Sequence, residues 1–224
     1  ELMASPAQPC VFVLVGSKIA DAFLMMETVL ASGIAACVLT GGLVGNILLA
    51  AKGEGIGSGS LDFIYKSNYG EYIEKAKGIY ETYANRIVLP TDLAYVESGA
   101  RRECAVGVVP ADICAVDIGS RTAEAYRARI LSAKTVFVNG PMGIFEQPEM
   151  ECGTKSVFEA LGETAAYTVV GGGDSVTAAA KYHIKDRLGY VCTGGGALIR
   201  FLTGEELPVV KALRGAAQRF GGPA

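Results

Sequence analysis

The sequence predicts an α/β protein with three layers, in which helices cover both faces of a mostly parallel, Rossmann-like sheet of about six strands in the order 3-2-1-4-5-6. Two observations carry this prediction. Short β-branched apolar runs alternate with helical apolar spacing along most of the chain, a pattern typical of a parallel sheet covered by helices. Several of these runs also end in a glycine-rich turn. In an open α/β sheet, such turns meet at one edge, beyond the carboxyl ends of the strands.

The first half of the chain supplies the first three strands. Gly33 ends the first helix, and Pro90 stops the third strand because proline has no N–H to donate to a ladder. The expected elements are a strand at 12–15, a helix at about 19–31, a strand at 36–39, a helix to about 52, a glycine-rich loop at 53–59, a helical segment at 61–85 and a strand at 87–89.

Residues 95–116 interrupt the alternation and predict a small antiparallel excursion. Charged and proline turns there separate two short apolar pieces, at 105–109 and 113–116. Regular alternation then resumes. The remaining expected elements are a helix at about 122–132, strands at 135–138, 167–170 and 190–192, and a helix at 175–182.

Composition favours one large domain or two small ones. The chain has 224 residues, of which 50% are hydrophobic and 19% charged, so it can bury a substantial core. Its formal net charge of −3, without a block of about five like charges, argues against a nucleic-acid surface. Six cysteines without a C-x-x-C pair favour neither a zinc site nor a disulfide framework, and indicate a reducing, cytoplasmic compartment.

One segment has the composition of a membrane span. Residues 28–51 carry no charged side chain. Glycines within the segment divide it into pieces too short to cross a bilayer. We therefore expect no membrane association.

Three glycine-rich turns dominate the last 90 residues. Each follows an apolar run, and the second and third precede stretches that can be helical. Glycine lets the backbone approach a ligand closely, and helix-starting N–H groups favour anions. Three such turns in register therefore indicate a nucleotide or phosphate ligand. They lie at residues 139–146 (NGPMGIFE), 171–175 (GGGDS) and 193–197 (TGGGA).

Several other catalytic designs lack their motifs. The chain contains no G-x-x-x-x-G-K-[ST] phosphate loop and no strict G-x-G-x-x-G turn. His183 is its single histidine, and no G-x-S-x-G elbow accompanies it. His183 is therefore expected to be a surface residue rather than a catalytic base.

Three charged residues are candidates for binding a phosphorylated ligand. Lys18 lies between a strand and a helix start, where its ammonium could bind a phosphate or simply be solvated. Asp174 follows three glycines and could ligate Mg²⁺ or cap the next helix. Glu146 closes the proline-containing turn and could accept from ribose hydroxyls or be an ordinary surface glutamate.

These residues resemble the C-terminal, nucleotide-binding domain of the phosphoglycerate kinase family. The family pattern contains N-G-P-x-G-x-F-E, G-T before a helix, G-G-G-D-[ST], S-T-G-G-G-A and a late L-P. The matching residues in this chain are 139–146, Gly153-Thr154, 171–175, 193–197 and Leu207-Pro208.

The likeness extends upstream and covers nearly the whole chain. Gly16-Ser17-Lys18 is similar to the family's G-[AS]-K turn, and Gly41-Gly42 to its second-strand glycine pair. The residues at 40–45 and 87–92 are more similar to those of archaeal members.

The resemblance implies reversible phosphoryl transfer between 1,3-bisphosphoglycerate and ADP, with ADP/ATP and Mg²⁺ bound. It implies contacts to the nucleotide from Gly16, Ser17, Lys18, Gly41, Gly42, Ala115, Val116, Asn139, Pro141, Ile144, Glu146, Gly172, Gly173 and Ser175. Asp174 would hold the metal ion. The catalytic N–H groups facing the transferring phosphoryl would come from Gly194, Gly195 and Gly196.

Within the nucleotide set, the resemblance divides the roles by position. Gly41, Gly42, Val116 and Ile144 would form the walls around adenine, and Glu146 would bind the ribose hydroxyls. Lys18 would contact the phosphates, and Asn139 and Pro141 the phosphates and the nearby ribose. The phosphates would be bordered by Gly172, Gly173 and Ser175.

Four positions depart from the family pattern. Val15 and Ala115 stand where glycines are common, and Arg200 where a glutamate is common. Ala22 replaces a second lysine that many members carry four residues after the first.

The resemblance also implies a division of the chain. Residues 1–9 would be a remnant of an interdomain connector, 10–214 the nucleotide-binding domain and 215–224 a C-terminal tail. The family's N-terminal domain, which supplies the basic triose-phosphate site, would be absent. We therefore expect nucleotide binding without turnover. Two alternatives are a nicotinamide-dependent oxidoreductase and a non-catalytic nucleotide-binding module.

Overall fold

The computed structural model describes residue 2 and residues 5–220 and arranges them in three layers. The strands are β1 (Cys10–Leu14), β2 (Cys37–Thr40), β3 (Ile87–Val88), β4 (Asp92–Glu97), β5 (Ala100–Ala105), β6 (Asp117–Ile118), β7 (Thr135–Asn139), β8 (Tyr167–Gly171) and β9 (Tyr190–Cys192). The α-helices are α1 (Ile19–Ala31), α2 (Gly42–Ala51), α3 (Ser58–Lys66), α4 (Glu71–Tyr83), α5 (Ser120–Ser132), α6 (Cys152–Glu163), α7 (Gly173–Lys181), α8 (Gly195–Leu202) and α9 (Pro208–Phe220). Short 3₁₀ turns occupy Pro148–Met150 and Lys185–Arg187.

Six strands form the central parallel sheet, in the order β3-β2-β1-β7-β8-β9. Numbered within that sheet alone, the order is 3-2-1-4-5-6. The α/β architecture and the strand order predicted from the sequence are therefore confirmed. The strand order reverses between β1 and β7, and open α/β sheets bind their ligands at such a switch point.

Two apolar clusters cover the two faces of this sheet. On one face Phe12 and Phe137 lie with ring centroids 5.3 Å apart, beneath α1, α2 and α4. On the other face Val13 and Val138 pack against α5 and α6, and Tyr126 is fully buried there. The Tyr126 hydroxyl donates to the carbonyl oxygens of Thr40 at 2.7 Å and Val88 at 2.9 Å. Because the central strands β1 and β7 are buried on both faces, they occur in the sequence as continuous apolar runs.

The antiparallel excursion exists, but its strands differ from those predicted. A three-stranded sheet has the order β5-β4-β6, and Ser98 and Gly99, with φ of 52° and 77°, turn the β4–β5 hairpin. The apolar pieces at 105–109 and 113–116 are not its strands, since nearly all of those residues lie in the connection between β5 and β6. Strand β5 was missed because half of its residues are charged and none is buried, and its pairing partner, rather than its own apolar pattern, makes it a strand.

Two helix predictions also need correction. The helical segment expected over 61–85 is two helices, α3 and α4, separated by Asn68 in the left-handed region at φ 60°. Helix α3 starts at Ser58, inside the expected glycine-rich loop. The expected division of the chain stays a prediction: α9 spans residue 214, the expected domain end, and the expected segments 1–9 and 215–224 lie partly outside the described residues.

Candidate functional site

The carboxyl ends of five parallel strands lie side by side. Leu14 of β1 is in register with Thr40 on one side and Asn139 on the other. Asn139 pairs with Gly171, which pairs with Cys192. The glycine-containing turns that follow these strands therefore share one edge, as the sequence predicted.

A cleft of about 340 Å³ opens at this edge. Most of its surface is apolar, and Phe63 and Ile144 stand at its mouth, 50% and 44% exposed. A planar aromatic ligand fits such a cleft because its faces can be covered without hydrogen bonds. The lining residues are Gly16, Ser17, Gly42, Leu43, Asn46, Ser60, Phe63, Cys114, Ala115, Val116, Pro141, Met142, Gly143, Ile144, Phe145, Glu146 and Asp174.

A smaller, polar hollow adjoins the cleft, and Gly16, Ser17 and Asp174 line both. Its lining adds three polar side chains, those of Lys18, Asn139 and Ser175. One end of the combined site is thus apolar, and the other carries a cation, a carboxylate and backbone N–H groups. The full lining of the hollow is Val15, Gly16, Ser17, Lys18, Asn139, Gly140, Gly172, Gly173, Asp174 and Ser175.

Lys18 occupies the N-cap position of α1, and its side chain is exposed. Its ammonium lies 3.6 Å from the place that a Cβ on Gly195 would occupy. Helix α8 begins at Gly195, so the lysine and the first N–H groups of α8 face the same space. Both favour an anion.

Asp174 lies inside the first turn of α7 and does not cap it. The cap residue is Gly172, at φ 94°, and no side chain donates or accepts there. The capping alternative for Asp174 is therefore wrong. Its exposed carboxylate fits Mg²⁺, which proteins commonly bind through one or two carboxylates together with phosphate oxygens of the substrate.

Buried hydroxyls and a lysine hold the turn at 139–146. The Ser175 Oγ accepts from the Gly140 N–H at 2.8 Å. The Thr154 Oγ1 accepts from the N–H groups of Met142 at 3.0 Å and Gly143 at 3.2 Å. At its far end, Lys181 donates to the Phe145 carbonyl oxygen. The turn is thus held at several points along its length.

Lys181 is itself held by Glu151, at 2.6 Å. The Lys181 hydrogen bond lowers the pKa of Glu151 below its ordinary value. The lysine therefore has a structural role at this edge rather than a free charge for a ligand.

The glycine pair at the start of α2 makes room for the same turn. A Cβ on Gly41 would lie 2.5 Å from the Met142 sulfur. A Cβ on Gly42, where φ is 52°, would lie 2.8 Å from the Met142 carbonyl oxygen. These glycines are required by close packing, and Gly41 lies behind Met142 rather than in the cleft wall.

Asp117 links the small sheet to α6. Its fully buried carboxylate accepts from the Gly153 N–H at 2.8 Å and from Arg101 at 3.0 Å. Burial raises the pKa of Asp117 to about 6, against the opposing effects of the Gly153 hydrogen bond and the Arg101 charge. Because Thr154 follows Gly153, this link also fixes the start of the helix that holds the turn at Met142.

The expected site residues fall into three groups. Most of the nucleotide set, together with Asp174, lines the cleft or the hollow. Gly41 is buried behind them, and Gly194, Gly195 and Gly196 lie at the start of α8, beside Lys18. Sequence reasoning missed part of the cleft wall, namely Leu43, Asn46, Ser60, Phe63, Cys114, Met142, Gly143 and Phe145.

The missed residues come from α2, α3 and the stretch before β6, as well as from the 139–146 turn itself. For one of these residues, the sequence did contain an indication of its role. Asn46 is a polar residue in an otherwise apolar helix segment, and burying an amide is unfavourable unless it is hydrogen-bonded.

Within the part of the chain that the structure describes, no helix has both the length and the apolar character needed to cross a membrane. The expected break-up of segment 28–51 is observed, since it contains the end of α1 and the whole of β2 and α2.

Comparison with known proteins identifies the family. The sequence model of the family described as phosphoglycerate kinase matches residues 1–205. The chain belongs to the phosphoglycerate kinase family. The resemblance found on the sequence motifs is thereby confirmed.

Curated archaeal phosphoglycerate kinases are similar over almost the whole chain. The protein of Methanothermus fervidus is 36% identical over 219 residues, which are 98% of this chain and 53% of the relative. The protein of Thermococcus kodakarensis is 40% identical over 222 residues, or 96% of this chain and 53% of the relative. The chain thus spans about half the length of the curated phosphoglycerate kinases it matches.

Solved phosphoglycerate kinase structures have the same fold. The crystal structure of the Pyrococcus horikoshii enzyme superposes with a TM-score of 0.89 at 37% identity, covering 98% of this chain and 55% of that one. The Coxiella burnetii structure superposes with a TM-score of 0.82 at 29% identity, covering 96% of this chain and 55% of that one. The oxidoreductase alternative gains no support from these phosphoglycerate kinases.

Proposed function

We propose that this chain is the Mg·ADP/ATP-binding half of a phosphoglycerate kinase, which transfers a phosphoryl group reversibly between 1,3-bisphosphoglycerate and ADP. One observation carries the proposal. The aligned strand ends place an apolar cleft directly beside a hollow lined by Lys18 and Asp174. A nucleotide has the matching polarity, with an aromatic base at one end and anionic phosphates at the other.

The base and ribose belong in the cleft. Gly42, Ala115 and Val116 supply surface for the adenine ring, and Ile144 covers it from the mouth. Glu146 lines the same cleft with an exposed carboxylate, which can accept from ribose hydroxyls. Gly41 contributes indirectly, through the packing of Met142.

The phosphates belong in the hollow. Lys18 supplies a positive charge, while Gly16, Ser17 and the first residues of α7 supply backbone N–H groups. Asn139 and Pro141 lie between the phosphates and the ribose, since they line the hollow and the cleft respectively. Gly172, Gly173 and Ser175 border the phosphates.

The reacting end lies at the start of α8. Gly194, Gly195 and Gly196 would direct N–H groups at the transferring phosphoryl, next to the Lys18 ammonium. Asp174 would hold Mg²⁺, which when bound neutralises part of the phosphate charge. Phosphoryl transfer depends mainly on such positioning and charge neutralisation.

The phosphoglycerate side of the reaction requires a basic triose-phosphate site. We propose that it comes from the part of the relatives that this chain does not match, since the chain covers 53% of the Methanothermus fervidus protein. The 224-residue chain would then bind nucleotide without turnover. We also propose a cytoplasmic location, because all six cysteines are free thiols, as a reducing compartment favours.

Isothermal titration of this chain with Mg·ADP and Mg·ATP tests the proposal. Saturable binding with Kd between about 1 μM and 1 mM is expected, or about −8 to −4 kcal/mol. NADH serves as the comparison ligand, and it should bind far more weakly. Saturable binding of NADH with no binding of either adenine nucleotide would overturn the proposal.

A further inference from the structure

Two buried side chains from different helices hold one residue of the cleft wall. The Asn46 Nδ2 of α2 donates to the Ala115 carbonyl oxygen at 3.1 Å. The Ser60 Oγ of α3 accepts from the Ala115 N–H at 2.9 Å. Asn46 is 5% exposed and Ser60 is 2% exposed. Both polar backbone groups of Ala115 are thus bound by side chains that are shielded from bulk water.

Ala115 belongs to a stretch with little regular structure to support it. Cys114, Ala115 and Val116 all line the cleft, and they lie between β5 and β6. The Val116 N–H donates to the Ala94 carbonyl oxygen at 2.9 Å, which anchors the end of the stretch next to β6. The position of Ala115 itself therefore depends on Asn46 and Ser60.

The residue types fit this dependence. Asn46 lies in a run of buried apolar residues on α2, where an amide without a partner would be unfavourable. Replacing Ser60 by an apolar residue would leave the Ala115 N–H without its acceptor. Replacing Asn46 would leave the Ala115 carbonyl oxygen with the weak Cys114 thiol donor, whose Sγ is 4.0 Å away. Such a group costs enough free energy that the wall would shift to find another partner.

We propose that Asn46 and Ser60 are positioning residues for the nucleotide base: by binding both backbone groups of Ala115, they hold the wall against which the base packs. The inference rests on the proposed nucleotide-binding function. It assigns their effect to the base end of the ligand and not to the phosphate end. Neither residue lines the hollow that contains Lys18.

The test compares two ligands on four proteins. Mg·ADP carries a base, whereas Mg·pyrophosphate carries only the phosphate end, and both are titrated by NMR into the unsubstituted chain and its variants. Ser60→Ala removes the acceptor, and Ser60→Thr restores a hydroxyl at the same place. Ser58→Ala is a matched control, because the exposed Ser58 of the same helix donates to the Ala111 carbonyl oxygen at 2.6 Å, outside the cleft lining.

Ser60→Ala should weaken Mg·ADP binding about tenfold, the consequence of one lost buried hydrogen bond, and change Mg·pyrophosphate binding less than about twofold. Ser60→Thr should recover most of the loss, and Ser58→Ala should show none. Equal losses for the two ligands, or no loss for Mg·ADP, would overturn the proposal. If Ser60→Ala does not fold, Asn46→Leu replaces it, and its binding of Mg·ADP and Mg·pyrophosphate is judged by the same criteria.

A failure of the proposed function gives a different result. In that case the unsubstituted chain itself does not bind Mg·ADP, before any variant is compared.

Discussion

The Thr154 side chain holds the turn that passes through Met142. Its Oγ1, fully buried at the start of α6, accepts from the N–H groups of Met142 and Gly143 at 3.0 and 3.2 Å. The Gly153-Thr154 pair, which the sequence offered only as part of a family pattern, thus has a structural role. Gly153 binds Asp117 through its N–H, and Thr154 binds the turn that forms one side of the cleft.

Substitution of Thr154 by valine should weaken both folding and nucleotide binding. Valine has nearly the same shape but leaves two N–H groups without their acceptor, so the free energy of unfolding should fall by about 1–3 kcal/mol. Binding of Mg·ADP should also weaken, because Pro141 and Ile144 lie in the same turn. Urea denaturation and calorimetry measure the two effects. Thr154→Ser keeps the acceptor and should retain the affinity. Equal affinity of the valine variant and the unsubstituted chain would show that the turn does not depend on this hydroxyl.

Removal of the Lys18 charge should weaken nucleotide binding through the phosphates. Lys18→Ala should raise the Kd for Mg·ADP about tenfold or more, since hydrogen bonds to charged groups contribute about 1.5–3 kcal/mol. The ratio of the Kd of the variant to that of the unsubstituted chain should fall as salt is added, because salt screens exposed charges. The control is Lys66→Ala, an exposed lysine paired with Asp62 on α3. An unchanged Kd for Mg·ADP and Mg·ATP would remove Lys18 from the site.

Asp174→Asn should separate metal binding from stability. The Asp174 carboxylate makes no capping hydrogen bond to α7, so the melting temperature should not change. Asparagine lacks the anionic oxygen that Mg²⁺ prefers, so ADP affinity measured with Mg²⁺ should fall toward the value measured with EDTA. Asp186→Asn, at an exposed position, is the control. If ADP affinity falls by the same factor with and without Mg²⁺, Asp174 does not hold the metal.

Asp92 should make stability depend on pH. Its carboxylate accepts from the N–H groups of Arg121 at 3.0 Å and Thr122 at 2.8 Å, and so caps α5. Burial by itself raises the pKa of Asp92, but the hydrogen bonds from Thr122 and Arg121 outweigh burial and bring it below its ordinary value. A lowered pKa in the folded state gives stability that is present above the unfolded pKa of about 3.9 and is lost as pH falls through the folded value.

The corresponding variant is Asp92→Ala. At pH 7 it should lower the free energy of unfolding by about 1–2 kcal/mol, the usual effect of a lost cap. At pH 3 the free energies of unfolding of the variant and of the unsubstituted chain should differ by less. Denaturant curves at the two pH values decide, and a difference independent of pH would show that the Asp92 charge is not involved.

The 224-residue chain should give no turnover above background in a coupled assay with 1,3-bisphosphoglycerate and ADP. Phosphoryl transfer requires donor and acceptor to be held in line, and the proposed triose-phosphate site lies outside the matched half. Addition in trans of the remaining half of a related phosphoglycerate kinase should produce turnover. Turnover by the chain alone would show that it carries both halves of the site. Nucleotide binding without turnover in any combination would favour the non-catalytic module.

The strands, their order in the sheet and the edge at which the glycine-rich turns meet could all be predicted from the sequence. The strands depend on local properties, because β-branched runs form them and glycine turns end them, whereas their order follows the usual winding of parallel α/β sheets. The family motifs at 139–146 and 171–175 added the candidate residues that line the cleft and the hollow. Local pattern did not predict β5 or the break at Asn68, because β5 exists through its pairing with β4 and the break interrupts otherwise helical spacing.

The hydrogen bonds that hold the cleft wall exist only in the folded chain. Asn46 and Ser60 bind Ala115 from positions 69 and 55 residues away along the chain. Thr154 reaches Met142 across 12 residues, and Asp174 proves to lie inside a helix turn that Gly172 caps. A hydrogen bond between distant residues leaves no periodic trace in the sequence, since its geometry exists only when the helices and strands that carry the two partners have packed together.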